Sequence, residues 1–495
     1  MGVCESDTAN TMSDHRVTLY GSLEARIRDW LSGSPEGHER GAVILFRRFR
    51  QQVEGLEAST RFVAVDAIMM DDDWILESSP VRLRINMRKL PPVYLRCELE
   101  DLQLGFAHSH PSGALFFSTI DDQNEKNILR GYAGCNGLDT QLISLVLSDQ
   151  RWIARVRSAG NPDQSEEVRH IAVLTDRIDL HLNDGSKPDD PVLARQEAAF
   201  GKPFNRKLAS LRAVIVGLGG TGSPLATMLA RMGVGELILV DGDNLDESNL
   251  NRVRGYRRPD AGSPKALLLA DYIRSLGLIG SVVAIPEFLD QSPTAIDAIC
   301  TSDMLFGCTD DVAGRDLMNQ AAYYYSIPFI DMGLTGAVRD DNEGAPYLYD
   351  HRGRVSIIMP ESGACLRCQG VVTEAKLAYE RAIRERPELR ELDPETLRRE
   401  YYLTGGNESA PGIGAFTNAV ADLALASFME LLRPFRRLSN DFRGDNIWSD
   451  FIHLSYYSNM PLLDPTCFCC GENGLLCQPE GGYRLGMPRL GVTVS

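Results

Sequence analysis

The chain has no run of about 18 or more apolar residues, the length a membrane-spanning helix needs. Its N-terminus lacks a basic region followed by an apolar one, so no secretory signal is visible. It also lacks any excess of base. Lys+Arg 51 against Asp+Glu 68 leaves a net charge of −17, which argues against general nucleic-acid binding and leaves a basic protein partner reasonable. Eleven cysteines are an odd number, clustered as CxxC pairs, a usage suited to a reducing cytosol and metal binding. What remains is a soluble composition, 43% apolar and 24% charged, in a chain long enough for two or three domains. Met1-Gly2-Val-Cys4 fits an N-myristoylation pattern, but no polybasic patch follows, so residues 1–18 read as a flexible tail.

The densest stretch is Arg212–Arg252, RAVIVGLGGTGSPLATMLARMGVGELILVDGDNLDESNLNR. Ala213–Val216 is short and β-branched, a buried strand. It breaks into Gly217-Leu-Gly219-Gly220-Thr-Gly222, where missing side chains let the backbone turn tightly and approach a phosphate. Ser223–Met232 has helical spacing, so the glycines lie at a helix N-terminus that favours an anion. A second strand, Leu237–Val240, delivers Asp241, an acid placed to suit a ribose hydroxyl. Asp243, Asn249, Asn251, Arg252 and Lys265 follow closely, and the strand Met304–Phe306 leads to Asp310 and Asp311. Acids that hold Mg²⁺, with cations for the phosphates, suit a nucleoside triphosphate better than NAD. Asp243 and Asp311 equally suit a helix N-cap or a solvated turn.

The series GxGGxG, LVDxDxxxxSNLNR, GSPK and CTDD resembles the ThiF/MoeB/E1 family of ubiquitin-activating-type adenylyltransferases over roughly residues 190–475. That resemblance implies a Rossmann-like doubly wound domain that uses MgATP to adenylate the C-terminal carboxylate of a ubiquitin-like protein. By position, Asp241 would hold the ribose, Asn249, Arg252 and Lys265 the phosphates, and Asp310 the Mg²⁺. Arg195 resembles the arginine that reaches a partner's ATP site in E1-like homodimers.

Ahead of this domain, Leu19–Leu31 shows helical spacing, and strands are expected over Phe62–Met70, Val81–Met87 and Leu102–Ala107. The last runs into His108-Ser-His110-Pro, with Ser118 and Asp121 beyond. Histidines at i and i+2 on an extended chain point the same way and can share a Zn²⁺ at about 2.0–2.1 Å. Asp121 supplies a third ligand, and one open position is the catalytic pattern. The spacing H-x-H-P-x6-S-x2-D resembles the JAMM/MPN+ metallopeptidases, a JAB-type α+β fold, over roughly residues 20–180. The resemblance makes Glu39 the general base, with Glu54 and Glu57 in reserve as helix-face acids, and Ser118 the steadier of the oxyanion. It departs from the family where Arg47 and Arg48 replace the glycine after the apolar run. Asp122 reads as a helix-start acid. Leu142–Val156 reads as a hairpin and Val168–Leu182 as a closing segment, so the first domain spans 19–182 and a polar linker spans 183–194.

Within residues 195–495, Cys365-x-x-Cys368 and Cys467-x-x-Cys470 can join as a tetrahedral Cys4 zinc, and the likeness to MoeB-type enzymes implies the same structural site. Cys469 and Cys477 are left over. Residues 369–466 contain no cysteine, although ubiquitin-type E1 enzymes usually carry their nucleophile there. An insertion over about 369–410 is highly charged, a solvated element or partner platform. Ser409 stands before an apolar helix, Ala419–Leu432. It would form an oxyester with the activated carboxylate, or leave the adenylate to a partner's nucleophile, or merely cap a turn.

Together the resemblances imply a cytoplasmic two-activity enzyme, as in bacterial ubiquitin-like conjugation systems, some implicated in phage defence. It would handle a β-grasp protein with a C-terminal glycine, with an E2-like or other acceptor and a homodimeric state. The same ATP residues serve activation of a ThiS/MoaD-type sulfur carrier. An NAD-dependent dehydrogenase leaves Arg252, Lys265 and Asp310 without a role, and an inactive scaffold is at odds with two complete residue sets.

Overall fold

The computed structural model describes residues 14–34, 36–51, 53–183, 190–401, 403, 412–438, 444–459, 461–472, 474–476 and 485. The chain divides into two compact units, residues 1–173 with 180–185, and residues 174–179 with 186–495.

The first unit runs β1 (Asp14–Tyr20), α1 (Gly21–Ser32), β2 (Gly41–Gln51), β3 (Ser59–Met69), β4 (Ile75–Ser79), β5 (Arg82–Ile85), α2 (Pro91–Leu99), β6 (Gln103–Ser109), α3 (Thr119–Asn136), β7 (Gln141–Ser148), β8 (Arg151–Ser158), β9 (Glu166–Leu174) and β10 (Ile178–Leu182). Its eight-stranded sheet has the order β1-β3-β2-β6-β7-β8-β9-β10, and β1 also pairs β9, so the order returns on itself. Helices α2 and α3 pack an apolar core that includes Leu104, Phe106, Ile128, Leu129 and Tyr132. β4 and β5 form a separate two-stranded hairpin.

Three expectations are corrected here. Residues 14–18 belong to the buried strand β1 rather than to a tail, and the helix begins at Gly21 instead of Leu19. Asp14, His15 and Arg16 are buried because distant residues pair them, Arg169 with Asp14 and Glu166 with His15. Glu54 and Glu57 lie exposed in the connection between β2 and β3, not on a helix.

The second unit runs α4 (Ala194–Phe200), α5 (Lys202–Ser210), β11 (Arg212–Val216), α6 (Gly222–Arg231), β12 (Glu236–Val240), α7 (Lys265–Ser275), β13 (Ser281–Ile285), α8 (Pro293–Cys300), β14 (Met304–Gly307), α9 (Val312–Tyr324), β15 (Phe329–Asp340), β16 (Pro346–Ile358), α10 (Glu374–Glu385), α11 (Pro394–Glu400), α12 (Gly414–Leu432), β17 (Asn446–Asp450) and β18 (Ser455–Ser458). Its sheet has the order β13-β12-β11-β14-β15-β16-β17-β18. The first five strands are parallel and the rest antiparallel. Strands β11, β12 and β14 are buried along their whole length, which explains their continuous apolar runs. Strand order reverses between β11 and β14, and that switch point opens a crevice at the strands' C-terminal ends.

Helix α12 is, among the described residues, the one long and apolar enough to cross a membrane by composition. Half of its apolar window is buried, and it packs against α6, β15 and β16, so we read it as a core helix.

Candidate functional sites

In the first unit, β2 pairs β6 with Gly41 opposite His108, which carries Glu39 to the histidine end of β6. Its backbone is held on both sides. Glu39 N donates to Ser79 O at 2.9 Å, and Ser78 Oγ donates to Glu39 O at 2.7 Å. The side chain is buried, with Oε1 4.0 Å from His110 Nε2. Burial raises its carboxyl from the ordinary glutamate value against the pull of the two histidines, the direction a general base near neutral pH requires.

His108 Nε2 lies 3.0 Å from Asp121 Oδ1, His110 Nε2 3.6 Å from Asp121 Oδ2, and the two Nε2 atoms 3.1 Å apart. A tetrahedral Zn²⁺ with bonds of ~2.0–2.1 Å sets its ligands about 3.3 Å apart. The three donors therefore fit it. His110 Nδ1 is 3.0 Å from the Ala114 carbonyl, which only accepts, so that nitrogen carries the proton and Nε2 keeps its lone pair. Asp121 is the third residue of α3. Ser118 N donates to Asp121 Oδ2 at 2.6 Å, and Asp121 N donates to Ser118 Oγ at 3.2 Å. The Ser118 oxygen expected at an oxyanion thus caps α3. Asp122, read as a helix-start acid, does stand in the first turn of α3 and also pairs with Arg155 and Arg157.

In the second unit the loops after β11, β12 and β14 surround a cavity of about 860 Å³. Gly217 turns at φ +87, and a Cβ there would stand 2.8 Å from the Cys308 backbone. Gly217, Gly219 and Gly220 line the cavity. Gly222 does not line it. It begins α6, where a Cβ would meet Gly217 O at 1.9 Å, so its role is the turn rather than contact with a ligand.

Asp241, Asp243, Asn249, Arg252, Lys265, Asp310 and Asp311 all line the same space. Asp241 braces the glycine turn, accepting from Leu218 N at 2.6 Å and Asp243 N at 2.8 Å. Burial raises its carboxyl, opposed by Lys265. Lys265 Nζ pairs with Asp243 Oδ2 at 2.9 Å. Arg252 Nη1 donates to Ser248 O at 2.8 Å and Asn251 Oδ1 at 3.1 Å. Asn249 Oδ1 accepts from Asp246 N at 3.4 Å. Asp310 is exposed at the rim. Asp311 is the N-cap of α9, accepting from Gly314 N at 2.6 Å, the second of its two expected roles.

The Cys365 and Cys467 sulfurs are 3.6 Å apart and those of Cys368 and Cys470 3.5 Å. Tetrahedral Zn–S bonds of ~2.3 Å set sulfurs about 3.7 Å apart. The four group as one cluster, while the buried Cys469 stands outside it.

The ThiF family profile matches residues 193–461, more than half of the chain and all within the unit that holds this cavity. The chain belongs to the ThiF family. The SAMP-activating enzyme E1 of Haloferax volcanii is 33% identical over 162 residues, 33% of this chain and 54% of that enzyme. The adenylyltransferase and sulfurtransferase MOCS3 of Danio rerio is 29% identical over 244 residues, 47% of this chain and 49% of that protein. Ubiquitin-like modifier-activating enzyme 5 of Drosophila grimshawi is 26% identical over 337 residues, 65% and 73%. The chain thus spans about half the length of the first two.

Three contributors to the ThiF cavity escape a sequence reading. Phe288 lies after β13, where a Gly242 Cβ would stand 2.6 Å from its ring. Its signal is its place at the C-terminal strand edge. Arg315, on the first turn of α9, donates to Thr309 O at 2.7 Å. Arg384 of α10 lies 3.4 Å from Asp290 Oδ2, and both line the cavity. The insertion is therefore docked, not merely solvated. Glu380 accepts from Val312 N at 2.6 Å and Ala313 N at 2.9 Å at the start of α9. Arg195 is exposed on α4 and is not among the lining residues. Ser409 and Cys477 lie outside the described residues, as does half of the linker, 184–189.

Proposed function

We propose that the ThiF unit transfers AMP from MgATP to the C-terminal carboxylate of a ubiquitin-like β-grasp protein ending in glycine. One observation carries the reading. A glycine turn, Arg252, Lys265 and Asp310 converge on one cavity at the strand switch point. A triphosphate laid along the turn would meet the backbone of Gly217, Gly219 and Gly220 at the N-terminal end of α6. Arg252 and Lys265 would stabilise charge as pyrophosphate leaves, and Asp310 would hold the Mg²⁺ that neutralises the phosphates. The tail carboxylate attacks the α-phosphorus, the bond to the β-phosphate oxygen breaks, and an acyl-adenylate forms. The relatives support the substrate class, being named for a ubiquitin-like modifier, for SAMP and for adenylyl and sulfur transfer. The MOCS3 likeness keeps a sulfur carrier as the second reading. Transfer through Ser409 to an E2-like or other acceptor, the homodimer and a cytoplasmic location belong to the same proposal.

The first unit, on this reading, is a JAMM-type zinc peptidase that trims the modifier or releases it from targets. Zn²⁺ held by His108, His110 and Asp121 would polarise the scissile carbonyl and acidify a water. Glu39 would accept a proton from the attacking water and return one to the leaving amine.

Carrier-dependent ATP–pyrophosphate exchange tests the main reading. Exchange requiring a Gly-ended β-grasp protein is expected. Purified enzyme that exchanges no pyrophosphate with any such carrier sinks it, and a thiocarboxylate product in place of a protein conjugate selects the sulfur-carrier reading.

A further inference from the structure

Helix α3 brings one ligand, Asp121, to His108 on β6 and His110 just beyond its end, so its position and rotation decide whether three donors converge. The chain leading into it, residues 110–118, has no regular secondary structure. The restraint lies one turn further along. Arg155 and Arg157 stand two apart on β8, on one face of the strand. Glu125 Oε1 accepts from Arg155 Nε at 3.1 Å and Nη2 at 3.0 Å, and its Oε2 accepts from Arg157 Nε at 3.1 Å. Asp122 Oδ1 accepts from Nη2 of both arginines, at 2.8 and 2.7 Å. Arg157 Nη1 donates to Pro162 O at 2.9 Å. The Arg155 guanidinium lies 4.1 Å from the ring centre of Phe117, next to the Ser118 cap.

Glu125 and Arg157 are 1% and 2% exposed. Such buried pairs add little stability over apolar residues of similar volume. Their advantage is directional, because planar guanidinium forks on fixed carboxylates set rotation as well as distance. Glu125 is four residues from Asp121, on the same stripe of the helix.

Resting on the metallopeptidase reading, we propose that Arg155 and Arg157, through Asp122 and Glu125, are positioning residues that fix α3 so that Asp121 meets His108 and His110. None of the four is among the three candidate ligands. A merely structural cluster could be replaced by apolar side chains without consequence for the ligands, and this one could not.

The test uses the full chain with its Cys4 zinc in place. Zn²⁺ is titrated into the His108/His110/Asp121 site against a chromophoric chelator, and Co²⁺ absorption of that site is recorded in parallel. For Glu125→Met/Arg157→Met the expected result is unchanged circular dichroism and thermal midpoint, with affinity lowered about 10–100-fold and an altered Co²⁺ spectrum. Arg157→Lys, which keeps the charge without the fork, should recover part of that loss. Should the double variant fail to fold, the half-exposed Asp122→Asn must lower affinity in the same direction. Variants that bind as tightly as the wild type overturn the inference. A wild type that takes up no metal beyond the Cys4 zinc overturns the peptidase reading itself, a separate result.

Discussion

Two glycines three residues apart in the phosphate turn have different duties. A Cβ on Gly219 would meet nothing within 4 Å, whereas one on Gly222 would stand 1.9 Å from Gly217 O. Gly219→Ala should leave the unfolding midpoint within ~0.5 kcal/mol of wild type, as an unobstructed site allows, while weakening nucleotide binding by crowding the phosphate path. Gly222→Ala should cost about 2 kcal/mol or more and lose nucleotide as well. Denaturant titration beside nucleotide binding separates the two. Asp241 carries a pH signature. Its folded-state carboxyl titrates above the ordinary 3.8 because of burial, so the native state binds its proton more tightly than the unfolded chain does. Its stability contribution is full below pH 3.8 and is lost as pH rises through the higher folded value. The stability of wild type relative to Asp241→Asn should narrow over that window, and a gap that widens with pH would contradict the assignment. On the proposed peptidase reading, Glu39→Gln should keep zinc and lower peptide-bond cleavage by about 10²–10⁴-fold, measured against metal content.

At the scale of elements, the insertion and the cysteine knuckles make the sharpest predictions. Glu380 replaces solvent as the acceptor for the first N–H groups of α9. Glu380→Ala should cost ~1 kcal/mol, as the loss of a helix cap does, and speed trypsin cleavage within 374–400. Equal cleavage rates would mean that α10 does not depend on that contact. With the four thiolates read as a zinc site, Cys467→Ser should release the metal shared with Cys365 and expose residues 461–472 to protease. How far these elements are legible in sequence depends on range. The turn from β11 into α6, the His-x-His strand end and both CxxC knuckles declare themselves because their partners lie within a few residues or follow a fixed spacing. Strand β1 does not. Its Asp14, His15 and Arg16 look like tail residues until Arg169 and Glu166 arrive from more than 150 positions away. Glu380 on α10 and the Arg155/Arg157 pair on β8 are hidden for the same reason, since charge on one face of a helix or strand reads as solvated unless the fold supplies a partner.

The whole molecule is two compact units with separate cores. Calorimetry should resolve two transitions, and on the proposed reading ATP should raise only that of the second unit while a chelator selective for open sites lowers only the other. A single transition shifted by both would show that the units melt together. On the reading proposed above, the two metal centres also differ in how they hold on. Four thiolates close one completely, whereas two imidazoles and a carboxylate leave the other open to exchange. A cell short of zinc would therefore lose the eraser before the writer, and modified targets would accumulate with no change in the amount of this protein.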